Sequence, residues 1–130
     1  MYSIVIMKKF LTLNDIDAYR DSFHLSTYVW NVIDAWDYFA KDTVGKQFVK
    51  SVDSISANIA EGFGRYTKKD KVMFYRYSYG SIIESLDWNE KAERRMLITK
   101  VQYDHIFKTL KSLPRAVHQL IKFTNEKLTM

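Results

Sequence analysis

Glu61 and Glu84 are the first residues with chemical potential, because both could point into a helical bundle. Paired carboxylates serve acid–base catalysis or hold two metal ions. A ferritin-like di-metal site needs Glu-x-x-His units on facing helices. The histidines are His24, His105 and His118, and none follows a glutamate by three. Ion pairing or helix-end hydrogen bonding is therefore the expected use of both glutamates, and the sequence assigns no catalytic residue and no metal ligand. A second candidate is SANIAEGFGRYTKKDK, residues 56–71, where small residues give way to a basic cluster. A phosphate loop needs Gly-x-x-x-x-Gly-Lys-Ser/Thr after a strand. Here a helical pattern precedes the glycines and the Lys-Ser/Thr is missing, so the stretch reads as an elbow between helices. Gly62 and Gly64 are expected at φ > 0, ending one helix and reversing the chain. Glu61 and Arg65 are placed to pair across the turn, and Asn58 to reach its free backbone groups. No nucleotide fingerprint and no nucleophile–base pair is visible, so neither an enzyme nor a cofactor is expected.

Charge points elsewhere. The formal net charge is +5, and it is uneven. Residues 1–42 hold four basic and six acidic side chains, whereas residues 65–76 hold five basic and one acidic. The elbow cations are Arg65, Lys68, Lys69, Lys71 and Arg76. Further on, Lys108, Lys111, Arg115, His118 and Lys122 recur at spacings of 3, 4, 3 and 4, which is one face of a helix. Such a stripe has three uses: a solvated face, contact with the phosphates of RNA or DNA, or contact with an acidic neighbouring subunit.

The elements that would carry these residues are long helices. Only four glycines and one proline occur in 130 residues, too few turn formers for an all-β chain. A first helix is expected from Asp15 to Ala40, capped by Asn14 or Asp15. Its second half is apolar around most of its circumference, interrupted only by Asn31, Asp34 and Asp37. Tyr28, Val29, Trp30, Val32, Trp36 and Phe39 are therefore expected to include a subunit contact. After a loop at residues 41–46, Phe48, Val52, Ile55 and Ile59 mark a second helix reaching Gly62. Beside them runs a small polar seam of Gln47, Ser51, Ser54, Asn58 and Glu61. A third helix, from Thr67 to Arg95, buries Val72, Tyr75, Tyr79, Ile82, Ile83 and Leu86 and carries a second small seam at Ser78, Ser81 and Ser85. The two seams could face each other. A fourth helix starts at the Thr99–Gln102 capping box and carries Tyr103, Ile106, Leu110, Leu113, Val117 and Leu120, with Pro114 expected to kink it. The sum is an all-α, antiparallel up-and-down four-helix bundle in a single domain, residues 1–130, with residues 1–12 as an extension and either Met1 or Met7 as the start. The absence of cysteine fits a reducing, cytoplasmic setting. No apolar run approaches the ~20 residues of a membrane span.

Asn58-Ile59-Ala60-Glu61-Gly62-Phe63-Gly64-Arg65 resembles the signature of the four-helix-bundle family of proteins encoded in intervening sequences of bacterial 23S rRNA genes. The likeness includes Ser54 and Ile55 upstream. Downstream, Gly80-Ser81-Ile82-Ile83-Glu84 matches the family's Gly-Ser-x-x-Glu. Order and spacing agree over roughly residues 14–125. Asp53 stands where an apolar residue is usual, and Val49 where a basic one is common. The family is similar in fold to the accessory variability protein of diversity-generating retroelements, a basic homopentamer that binds nucleic acid and a reverse transcriptase. The resemblance thus implies a homopentamer, with nucleic acid and a protein such as a reverse transcriptase as partners.

Overall fold

Four helices follow one another with three short connections, and the local sequence explains each boundary. The computed structural model describes residues 12–128; the expectation for a loose N-terminal extension falls almost wholly outside them. Thr12 and Asp15 close a capping box around a 3-10 turn, Leu13–Asp15, with the Thr12 hydroxyl 2.7 Å from an Asp15 carboxylate oxygen. Asp15 is thus spent on that turn, and helix α1, Asp17–Asp34, starts after Ile16 with no side-chain cap. Ala18, Ser22, Leu25, Val29 and Ile33 form its buried stripe.

The expected continuation of α1 to Ala40 does not occur. Asp37 takes an extended conformation, and its carboxylate accepts the backbone N–H of Ala40 at 2.9 Å. Part of the supposed polar stripe is therefore a helix cap. The expected loop at residues 41–46 is also absent. A turn at Tyr38–Ala40 and a π-helical turn at Lys41–Gly45 run directly into α2, Lys46–Gly64. The buried residues explain the π turn. Ala40, Val44, Phe48 and Val52 are spaced by four three times in succession. Each step of four overshoots an α-helical turn by about 40°, and a wider turn brings the stripe back into register.

Helix α3 is Lys68–Arg94, and α4 is Lys100–Lys127. Thr67 caps α3 by accepting the Asp70 N–H at 3.1 Å. The Thr99–Gln102 box forms in full, with bonds of 2.9 and 3.1 Å. Pro114 lies inside α4 without ending it. At the end of α3, Leu97 N–H bonds to the Ala92 carbonyl and Met96 N–H to the Glu93 carbonyl, both at 2.9 Å. This is a Schellman turn, and its left-handed residue is Met96, at φ 60°.

Each helix packs on its neighbour in sequence, and α1 packs on α4 to close the ring. The result is an all-α up-and-down four-helix bundle, with no strand among the described residues. Phe48, Val52, Ile55, Ile59, Tyr75, Ile82, Ile106, Leu110, Leu113 and Val117 fill the centre. On α3 the buried stripe is Tyr75, Ser78, Ile82, Ser85, Asn89 and Ala92. Tyr79 and Ile83, expected inside, are exposed. The core edge on α3 is taken by serines because α2 lies too close for larger side chains.

That closeness is measurable. The Ser78 hydroxyl donates to the Ile55 carbonyl at 2.8 Å, and the Ser85 hydroxyl is shared between Ser51 Oγ at 3.0 Å and its own helix at the Ser81 carbonyl. The two small-residue seams meet at one pair, Ser51 and Ser85; Ser78 bonds to the Ile55 backbone, Ser54 and Asn58 bond within α2, and Gln47 and Glu61 are exposed. Farther along the same seam, a Cβ on Gly62 would sit 2.7 Å from a Tyr75 ring carbon and 3.0 Å from the Lys71 carbonyl. The expectation of φ > 0 at Gly62 and Gly64 is overturned: no glycine of the described residues has positive φ, and α2 continues through both. Gly62 is there for space. At Gly64 a Cβ would meet nothing within 4 Å. Gly62→Ala should destabilise the fold by about 1–3 kcal/mol, as overpacking does. Gly64→Ala should be neutral or stabilising by up to about 1 kcal/mol, since alanine is the better helix former. Urea denaturation of both variants checks this pair, and equal losses would contradict it.

Candidate nucleic-acid interface

The elbow cations have separate fates once the helices are in place. The Arg65 guanidinium pairs with Glu61 at 3.0 Å along the last turn of α2 and lies 4.6 Å over the Phe74 ring. The Lys71 ammonium donates to the Phe63 carbonyl at 2.7 Å, and burial lowers its pKa from the ordinary lysine value. That carbonyl is one of the last of α2, where a cation complements the helix dipole. Lys68 reaches the Asn125 carbonyl near the end of α4 at 3.2 Å. Only Lys69 and Arg76 are exposed without a hydrogen-bond or ion-pair partner among the described residues. Asn58 does not serve the elbow; it donates to the Ser54 carbonyl one turn back, at 2.9 Å.

The stripe on α4 is more uniform. Lys108, Lys111, Arg115, His118 and Lys122 are all exposed. None has a carboxylate within ion-pairing distance among the described residues, whereas Asp17, Asp34, Asp42, Glu61, Asp87, Glu93 and Asp104 all pair with other cations. The stripe faces solvent and slants across α4: Lys108 lines a cleft with Asp21 and His24 of α1, whereas the His118 ring lies 5.5 Å from that of Tyr79 on α3. The antiparallel register places Arg76 close to the level of Lys122, and the Lys68–Asn125 bond brings the elbow to the end of the same stripe. One surface therefore joins Lys68, Lys69 and Arg76 to the α4 residues, while Arg65 and Lys71 are engaged in holding the elbow.

The carboxylates do not converge. Glu61 pairs with Arg65, and Glu84 accepts the Trp88 indole N–H at 3.2 Å. Glu84 lies at the level of Ser51 on α2, ten residues or about 15 Å of helix from Glu61. Burial raises the pKa of Asp53 above the usual carboxylate value, but no second acid accompanies it. Among the described residues no group of three or more His, Asp or Glu side chains could hold a metal. No described helix is long and apolar enough to cross a membrane.

The expected subunit contact is dispersed. Val29 belongs to the chain's own core, and the Tyr28 ring packs at a tilt against that of His105, 4.2 Å between centroids. Val32 and Trp36 are half-buried against the core. Only Trp30, 58% exposed, and Phe39, 76% exposed, face outward. The apolar run around the expected first helix belongs to three separate pieces: the end of α1, the Asp37 cap and the following turn. A different exposed face lies on α3, with Met73, Tyr77 and Gly80 at spacings of 4 and 3. The spacing was visible, but tyrosine and glycine mid-helix carry no distinctive signal.

The profile of the 23S rRNA-intervening sequence protein family matches residues 14–119. The chain belongs to this family. A solved structure from Bacteroides thetaiotaomicron VPI-5482, described as a protein with unknown function from the S23 ribosomal protein family, is similar over 81% of this chain and 98% of its own, at 22% identity and a TM-score of 0.72. No curated protein matches the sequence.

The motif residues of this family member have structural work in the bundle. Glu61 anchors Arg65, Gly62 admits Tyr75, and the Ser81 carbonyl receives Ser85. Gly64 and Gly80 differ from these: both are exposed, and a Cβ at either would meet nothing within 4 Å; Gly64 ends α2, whereas Gly80 lies in the middle of α3. The distinction between structural and free cations can be measured by denaturation. Lys71→Met should destabilise the bundle by about 1 kcal/mol through the lost charged hydrogen bond, while Lys69→Met stays within about 0.5 kcal/mol of the parent.

Proposed function

We propose that this chain is a non-enzymatic accessory protein that self-associates and holds RNA or DNA by its phosphates without reading base sequence. The observation that carries the reading is the α4 stripe. Five exposed basic or histidine side chains stand in a row with no acid in pairing distance among the described residues, although seven acids elsewhere are paired. A row of unneutralised cations draws phosphates and fixes no base identity. Arg76, Lys69 and Lys68 extend the row, and Tyr79 beside His118 offers a ring on which a base of a single strand can stack. Fluorescence anisotropy of a labelled single strand against salt tests this. The triple variant Lys108→Ala, Lys111→Ala, Arg115→Ala should weaken every sequence alike and reduce the salt slope by about 2–3, roughly one phosphate per cation. No binding of the parent to any RNA or DNA at about 50 mM salt, where the electrostatic contribution is strong, would overturn the reading.

Self-association is supported by the outward face of α3. Met73 and Tyr77 are exposed there, and Gly80 between them and Glu84 leaves a bare patch of backbone. An exposed mid-helix glycine costs about 1 kcal/mol against alanine, and close approach of a second helix is what it permits. Tyr38 and Phe39, 79% and 76% exposed, add further apolar surface at the α1–α2 connection. The resemblance to the accessory variability protein supports a ring of five, in which each weak phosphate patch would repeat around the circumference. The same face favours a second reading, a protein–protein interaction module that never touches nucleic acid; salt-independent failure to bind any nucleic acid would leave that one standing. Gly80→Leu gives opposite signs in two measurements. It should reduce a species of several times 15.4 kDa in sedimentation, yet raise the helix stability of the single chain by up to about 1 kcal/mol. A parent protein that is a clean monomer at micromolar concentration would remove the assembly.

A further inference from the structure

The connection between α1 and α2 forms a groove that neither the basic stripe nor the α3 face uses. It lies at the α1–α2 seam, across the ring from the α3–α4 seam. Trp30 and Ile33 of α1 and Gly45 and Val49 of the following chain make an apolar floor in a cavity of about 290 Å³. That size is close to the lower end of small-molecule pockets, ~300 Å³. Three lysines stand around the floor, Lys41, Lys46 and Lys50, with one carboxylate, Asp34. Three positive charges less one negative leave the rim at about +2.

Three features suit this groove to a ligand. The lysines are loosely engaged: Lys41 is 3.7 Å from Asp34 and Lys46 is 3.5 Å from Asp42, both pairs exposed, and Lys50 has no acid in pairing distance among the described residues. Exposed pairs of this kind hold their partners weakly, so the ammonium groups can turn to another anion. Trp30 keeps 58% of its surface exposed beside them, an unusual position for an indole in a folded chain. The groove is also shaped by the π turn, which supplies both Lys41 and Gly45; such turns recur at functional sites. A side chain at Gly45 is excluded, because its Cβ would lie 2.8 Å from Ile33 Cγ2.

We infer that this groove binds a compact organic anion, with a flat or short aliphatic body on Trp30, Ile33 and Val49 and a carboxylate or sulfonate at Lys46 and Lys50. The apolar floor supplies contact area, and the rim selects for negative charge. The site is independent of the nucleic-acid reading, shares none of its residues, and stands or falls alone.

Fluorescence titration with 1-anilinonaphthalene-8-sulfonate, alongside its uncharged parent N-phenyl-1-naphthylamine, tests it. The sulfonate should bind saturably at one per chain, with Kd on the order of tens of micromolar, as befits a ligand of its size. Lys46→Glu with Lys50→Glu, both on exposed side chains, should weaken the sulfonate by about tenfold and leave the uncharged compound within about twofold. Val49→Trp should fill the floor and weaken both compounds, with circular dichroism confirming the fold. Absence of saturable binding by the parent protein overturns the inference. So does a charge-reversal variant that binds the sulfonate as well as the parent does, since the dye would then be sitting on some other apolar surface.

Discussion

The distance between α2 and α3 sets everything else in this bundle. It is set by residues that are small or missing a side chain: Ser51, Ser78, Ser85 and Gly62. Hydroxyls at this spacing bond across the seam instead of filling it, so the helices approach until Tyr75 lies over the bare Gly62 backbone. Tyr75 is 2% exposed, and burial, partly offset by a hydrogen bond with Thr124 on α4, pushes its phenol up to about 12. One ring thus touches α2, α3 and α4. The contact fixes the rotation of α3, which in turn directs Tyr79 toward α4 and Met73 and Tyr77 toward solvent. The neighbouring Lys71 is held against the Phe63 carbonyl by the same approach. The basic elbow is therefore rigid where Arg65 and Lys71 lie and open where Lys69 and Arg76 lie.

Much of this was legible in the residues. The 4-and-3 spacings placed Phe48, Val52, Ile55, Ile59, Ile106, Leu110, Leu113 and Val117 correctly in the core, because an α-helix buries one stripe whatever its neighbours are. The helix start at Thr67 and the Thr99 capping box were readable for the same local reason. The stripe on α4 was readable as a pattern, since a helix in solvent preserves the spacing of its charges. Glu61–Arg65 was readable because the two sit four residues apart on one helix.

What escaped depended on tertiary packing. Glycine was read by its backbone freedom, yet Gly62 serves space, and the one left-handed residue described is Met96. Methionine there is strained, and nothing in its neighbours announces the turn. Tyr79 and Ile83 were read as core from their chemistry, but the seam had already assigned the buried edge of α3 to serines. The π turn was the subtlest loss. Its signal was present as the repeated spacing of four from Ala40 to Val52, and an α-helical period cannot register it. An α-helical period carried past Asp34 merges a helix, the next cap and an exposed turn into a single apolar surface, whereas Val29, Val32 and Trp36 pack on the chain's own core.

The order of packing around the ring has a kinetic consequence. Three of the four seams join helices that follow each other directly in the chain, and such local contacts carry a small loop-closure penalty. The fourth, between α1 and α4, joins the two ends of the described chain, with Tyr28 against His105 as one of its contacts. The hairpin-like pairs α1–α2, α2–α3 and α3–α4 can each zip from a short connection, so the chain has a low contact order for its length. Closing the circle is the one non-local event. It is also the cheapest to undo: separating α1 from α4 breaks a single seam and leaves the Gly62–Tyr75 contact intact. The seam between the first and last helices is the one whose opening leaves every contact between consecutive helices in place.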